Sequence, residues 1–347
     1  MKELIRNKVL DLYPIDYPFE SLIARIEAGK LKLNPEFQRK YKWDKDGWVR
    51  ASKFIESCLM RIPLPSCYFA EEEDGQHIVI DGVQRLTTLK LFFEDGFKLE
   101  GLTTFKELEG KRFSELKGHR SDLETTTIRC IVLRKENPKA LIREIFSRLN
   151  QGAVKLSDQE IRHAIFPGVL DDLLVELAKN QIIEQFKISE DGTYKKDSRE
   201  DEEQVLRFLA FSEDIELESY ENVLSEFLDR FMEVNSNCDE GRVDLYRRRF
   251  NTAIENCVAV FEDNIFTDPT KKRGKNGLVY YDLLMPTVGL LSKKIVRDHK
   301  LEIREAYNEL CSSIAFRKTL SGGLQKKSSI LKRRRLWSEL LEAAIDG

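Results

Sequence analysis

Asp81, Gln84 and Arg85 fall within five residues of one another in the segment HIVIDGVQRLTTLKLFF. A carboxylate there can hold a cation, an amide can orient a water or a phosphate oxygen, and a guanidinium can offer paired N–H donors to an anion. Their position in the chain sharpens the question. The strand-type run Ile78-Val79-Ile80 stops at Asp81-Gly82, and a helical pattern carrying Leu86, Leu89, Leu91, Phe92 and Phe93 follows. A strand that enters a glycine turn and then a helix N-terminus gathers backbone N–H groups and the positive end of the helix dipole, which attract phosphate. The same spacing also fits a capping box, with Asp81 at the cap and Gln84 reaching back. SDQE, with Ser157 and Glu160, fits that box as well. Capping needs neither Arg85 nor Gly82, and a capped helix start can still present its remaining amides, so both readings stay open.

Two further stretches hold more polar chemistry than their local structure requires. NPEFQRKYKW places Gln38, Arg39, Lys40 and Lys42 beside Tyr41 and Trp43 with no apolar period. It reads either as a surface loop with an aromatic lid over the core, or as a loop that touches a nucleotide through Arg39 and stacks through Tyr41 or Trp43. FSRLNQGAVKLSDQEIR reads as helix, Asn-Gln-Gly turn and capped helix, and its Asn150, Gln159, Glu160 and Arg162 exceed what the turn needs.

Charge is unevenly spread. The chain carries −3 overall, yet residues 265–335 hold 17 Lys+Arg against 6 Asp+Glu, a local +11. Within it, 317–335 has eight basic residues and no acid, among them Lys326, Lys327, Lys332, Arg333, Arg334 and Arg335. Such a block suits nucleic-acid phosphates, or it is a solvated helix face. The six cysteines are scattered without a CxxC, so free thiols are expected rather than zinc or disulfides. No apolar run is long enough to span a bilayer. MKELIRNKVLDLYPID has acids and no apolar h-region, so no secretory leader, no membrane partner and a cytoplasmic location are expected.

Positioning these groups calls for a mixed N-terminal half. Helices are expected over DYPFESLIARIEAGK, ended by Gly29, and over WVRASKFIESCLMRIP, with Ala51, Ile55, Cys58 and Leu59 on one face. Strands are expected at SCYFAEE and QHIVI around Glu73-Asp74-Gly75, and at TTTIRCIVL. ALIREIFSRLN is helical, with Leu141, Ile145, Phe146 and Leu149 in register. From about 168 onward the period is helical, with 189–203 and 267–277 as exposed connections, and 326–335 is expected to be helical at least in part. The class is therefore α+β: a mixed α/β domain over 1–167 and an all-helical domain over 168–347.

Four segments in order, NPEFQRKYKW, FIESCLMRIPLPSCYFAE, IDGVQRLTTL and FSRLNQGAVKLSDQEIR, resemble the N-terminal domain family of GmrSD-type restriction endonucleases, the DGQQR-motif proteins of the ParB/sulfiredoxin-like superfamily. The resemblance covers roughly residues 10 to 165. It implies a ParB/sulfiredoxin-like fold that binds and hydrolyses nucleoside triphosphates (NTPs) in prokaryotic restriction and anti-phage defence. Asp81, Gly82, Gln84 and Arg85 fall on the motif, Val83 replaces its first Gln, and Arg39, Asn150, Gln159, Glu160 and Arg162 match unchanged. The implied roles are nucleotide binding by Arg39, Gly82, Gln84, Arg85, Asn150, Gln159 and Arg162, and catalysis by Asp81, Gln84, Arg85 and Glu160. Mg2+ or another divalent cation is expected on Asp81 or Glu160, and DNA, foreign or modified, on the basic stretch. His77, His119, His163 and His299 have no HNH-like spacing, so the HNH nuclease of many relatives is expected to be absent and a separate nuclease subunit to do any cutting. The alternative is a catalytically weakened nucleotide- or nucleic-acid-binding subunit acting through a partner protein. No carboxylate cluster suited to two metals is present, so direct DNA cleavage is not expected.

Overall fold

The structure, a computed structural model, describes residues 10–33, 41, 43–44, 47–149, 157–187, 199–213, 220–271 and 277–346. It falls into two compact units, Met1–Leu156 and Ser157–Gly347.

In the first unit β1 (Leu12–Pro18) leads into α1 (Phe19–Glu27) at Pro18, and Gly29, at φ +69°, takes the left-handed turn beyond the helix. After β2 (Leu31–Lys32), α2 (Val49–Leu59) buries the expected face of Ala51, Ile55, Cys58 and Leu59. The hairpin of β3 (Cys67–Glu71) and β4 (His77–Asp81) turns at Asp74-Gly75, and α3 (Val83–Phe93) follows one residue later. Then come α4 (Gly118–Thr125), β5 (Thr127–Leu133) and α5 (Lys139–Leu149). Ile142 and Phe146 are the buried residues of α5, so the inward face is turned from the one expected.

The sheet order is β1-β5-β3-β4-β2. β3 runs antiparallel to β4 and parallel to β5, which places it in the middle of the sheet. The core gathers Phe19, Leu22, Ile55, Phe69, Leu86 and Phe92, with none of them exposed. A buried acid shapes the long α3–α4 connection. Glu56, facing inward from α2, accepts from the backbone N–H groups of Thr103, Thr104 and Phe105 and from Thr103 Oγ1.

The second unit is helical among its described residues. Its elements are α6 (Asp158–Ile165), α7 (Val169–Leu177), α8 (Gln181–Glu184), α9 (Glu200–Phe211), α10 (Leu224–Asn235), α11 (Glu240–Phe261), α12 (Leu278–Leu284), α13 (Lys293–Asp298), α14 (Lys300–Ser312), α15 (Ile314–Arg317) and α16 (Lys327–Asp346). α9 packs against α6, α7, α10, α11 and α12, and is buried nearly all round. Its charged residues therefore need partners, and Arg207 pairs with Asp282. This corrects the expectation of exposed connections. Arg199, Asp201 and Glu202 are buried, as are Thr267 and Asp268, while 188–198 and 272–276 lie outside the described residues. No helix among the described residues is long and apolar enough to cross a membrane.

The architecture is the α+β class expected from sequence.

Candidate functional site

The Asp81–Arg85 corner is built by β4, α3 and the entry to β3. Asp81 still pairs in the sheet, opposite Tyr68, so it cannot take the cap position. That position falls to Gly82, at φ +102°, whose carbonyl accepts the first helical bond from the Leu86 N–H at 2.9 Å. A glycine is required here twice over. The backbone is left-handed, and a Cβ would overlap Cys67 Sγ and stand 3.2 Å from Cys67 Cβ. The capping box expected at Asp81 and Gln84 is therefore not formed. At Ser157 it is: the Ser157 N–H donates to Glu160 Oε2 at 2.7 Å, and the Glu160 N–H donates to Ser157 Oγ at 3.2 Å.

Asp81 instead accepts from Arg85, Nη2 to Oδ2, at 2.7 Å. Arg85 also donates to the carbonyls of Pro65 and Ser66, tying the start of α3 to the chain entering β3. Its side chain is 13% exposed and that of Asp81 is 42%. The guanidinium is thus held in one orientation at the mouth of the corner, with part of its donor set committed to the protein, while the Asp81 carboxylate faces solvent.

Beneath Gly82 lies a pair of thiols that sequence reading did not connect. Cys67 and Cys130 are register partners on adjacent parallel strands, and both are buried. The hydrogen bond from Cys130 lowers the Cys67 thiol below its ordinary value against the effect of burial, with the Arg85 charge adding to it; Cys130 is pushed up by the same bond and by burial. All six cysteines are free, as expected.

The remaining candidates divide by environment. Gln159, Glu160 and Arg162 belong to α6 of the second unit. Arg162 is 1% exposed, with Nε donating to Asp229 at 2.8 Å and Nη1 donating to Glu203 at 3.0 Å and to Gln159 Oε1 at 3.1 Å. In this arrangement it joins α6, α9 and α10. Arg39 and Asn150 lie outside the described residues, as do Gln38, Lys40 and Lys42. Tyr41 and Trp43 turn to the first unit's own core rather than to a base. Tyr41 is buried with its hydroxyl 2.8 Å from Thr88 Oγ1, and burial pushes it up to about 12, while Trp43 packs edge-on against Phe54.

In the basic stretch only part of the charge faces out. Lys326, Lys332 and Arg335 are exposed and Lys327 is half-buried. Arg333 is 5% exposed and donates to the carbonyls of Thr319 and Leu324. Arg334 donates to the carbonyl of Phe211 and lies over its ring. Both therefore serve the packing of α16.

The corner thus sets a glycine-led helix at the end of a strand, beside an oriented guanidinium and an exposed carboxylate. Residues 19–167 match the family described as GmrSD restriction endonuclease, N-terminal domain. No curated protein and no solved structure matches the chain.

Proposed function

We propose that the chain binds a nucleoside triphosphate with a divalent cation at the Asp81–Arg85 corner and hydrolyses it in the service of prokaryotic restriction. The observation that carries this reading is the direction of Asp81. It is turned onto Arg85, and α3 starts from Gly82, which has no side chain to cap it. A phosphate approaching that start would meet backbone N–H groups and the guanidinium together. Asp81 suits Mg2+, which takes one or two carboxylates plus substrate phosphates. Gln84 would orient the attacking water or a phosphate oxygen. Arg39 and Asn150 complete the nucleotide contacts that the family motif implies. DNA contact would fall to Lys326, Lys327, Lys332 and Arg335, the outward part of the basic stretch.

Phosphate release from each NTP with Mg2+, with and without duplex DNA, tests the reading. Asp81→Asn should abolish release and shift the melting temperature little, because the ion pair it breaks is exposed on the carboxylate side and worth about 1 kcal/mol or less. A folded Asp81→Asn protein that binds and hydrolyses NTP like the wild type would sink it.

One observation favours a second reading, a nucleotide-binding subunit with weakened catalysis that acts through a partner nuclease. Val83 occupies the motif's first Gln position and packs half-buried against the core. Val83→Gln separates the two readings: a rise in kcat at unchanged affinity marks a catalytic role that Val83 has lost.

A further inference from the structure

Outside the corner, the second unit holds a group of side chains that neither the family match nor the motif explains. His163 at the end of α6, Asp171 in the first turn of α7 and Glu202 in the first turn of α9 each bring a ligand-type atom within 4.8 Å of the others. Asp171 is 3% exposed and Glu202 7%. Two carboxylates converging in so dry a place repel each other unless a cation or a proton intervenes.

Three details point to a cation. Asp171 Oδ1 is buried and has no hydrogen-bond partner. His163 Nδ1 stands 2.6 Å from Asp171 Oδ2 yet makes no hydrogen bond, so the two atoms face each other without a proton aligned between them. The positive charge now present is Arg199, which donates to Glu202 and lies with Nη2 3.1 Å from His163 Nε2. It reaches Glu202 and His163 and leaves Asp171 Oδ1 unmet.

We propose that His163, Asp171 and Glu202 form a binding site for a divalent transition-metal ion of the Zn2+ class, separate from any Mg2+ carried by the Asp81–Arg85 corner. One imidazole and two carboxylates suit Zn2+ and its neighbours, and Mg2+, which favours an all-oxygen shell, poorly. Ligation by Nδ1 puts the ring proton on Nε2, where Arg199 can no longer donate, so the ion and the guanidinium compete for the ring. The His163 side chain is 24% exposed, which gives the ion an entry side and leaves a position for water. Bound metal would fasten α6, α7 and α9 together and fix the helix that carries Glu160 and Arg162. The proposal does not rest on NTP binding.

The test uses the whole chain, stripped with chelator and then equilibrated with Zn2+. Elemental analysis should find one tightly held equivalent, and the melting temperature should rise with added metal. Asp171→Asn and Glu202→Gln keep the side-chain shapes. Each should weaken Zn2+ affinity by more than the roughly 10- to 100-fold that loss of a supporting hydrogen bond costs. Asp81→Asn should leave it unchanged. Co2+ added to the unaltered protein gives a readout that does not depend on a variant folding. Visible bands of nitrogen and oxygen ligation are expected, whereas sulfur charge-transfer bands would place the ion on cysteine and overturn the assignment. Absence of a bound equivalent, or full Zn2+ affinity in a folded Asp171→Asn protein, would overturn it equally.

Discussion

Gly82→Ala puts the structural account of the corner to its hardest test. Two independent penalties meet at this position. The backbone sits at φ +102°, where a residue with a Cβ costs about 1–2 kcal/mol. The new methyl would also overlap Cys67 Sγ in the fully buried middle of the sheet, an overpacking that costs about 1–3 kcal/mol. Together they amount to roughly 2–5 kcal/mol, a large share of the about 5–15 kcal/mol by which a domain is stable. For a unit of this size each kcal/mol moves the melting temperature by about 2–4 °C, so a fall of about 4–20 °C is expected. Urea unfolding followed by circular dichroism measures the free energy directly. The double mutant Gly82→Ala/Cys67→Ala then separates the terms. Removing Sγ should return the steric part and leave the backbone part, so the two changes must be non-additive. A Gly82→Ala protein as stable as the wild type, or a double mutant whose losses simply add, would refute the reasoning.

Arg85→Ala should destabilise the first unit by about 0.5–1.5 kcal/mol as well as weaken any phosphate binding, because it removes the donor to the Pro65 and Ser66 carbonyls; denaturant unfolding measures it. Glu56→Gln should show its cost near neutral pH and lose it in acid. Burial opposes ionisation of Glu56, but the N–H donors of Thr104, Phe105 and Thr103 outweigh it and hold the carboxyl below its ordinary 4.5. Its stabilisation is therefore complete above that value and disappears as pH falls through the depressed one, so the two melting curves should converge in acid. Arg333→Ala should cost about 1–3 kcal/mol of stability through its two carbonyl partners, whereas Arg335→Ala should stay within about 0.5 kcal/mol. If the outward face holds DNA, Arg335→Ala should instead lower the salt dependence of binding by about one contact, read by titration at several salt concentrations.

Local sequence was enough to locate the elements around the corner. β-branched runs, the Asp-Gly turn and the three- and four-residue apolar spacing place β3, β4, β5 and α3 where they occur, because these patterns act over distances shorter than a single element. The face of α5 was less legible. Its apolar residues surround more than one side, and which side packs depends on what lies opposite.

The two capping-box spacings mark the boundary between sequence and tertiary structure most clearly. Ser157 and Asp81 each stand three residues before an acid or amide at a helix start, and on sequence they are alike. Ser157 caps because its backbone is extended and its hydroxyl meets the Glu160 N–H. Asp81 does not, because its pairing with Tyr68 keeps it in the sheet and moves the cap to Gly82. A similar division runs through the basic stretch. The sequence determined how much positive charge it carries and that it is helical in part. Which charges meet solvent was decided by docking, since Arg333, Trp337 and Leu341 recur at four-residue spacing and turn inward together. Composition sums over all faces of a helix, whereas burial acts on one. The meeting of His163, Asp171 and Glu202, and of Cys67 with Cys130, was likewise invisible along the chain. Such contacts join residues from separate helices or strands, and only the packing of those elements brings them within reach.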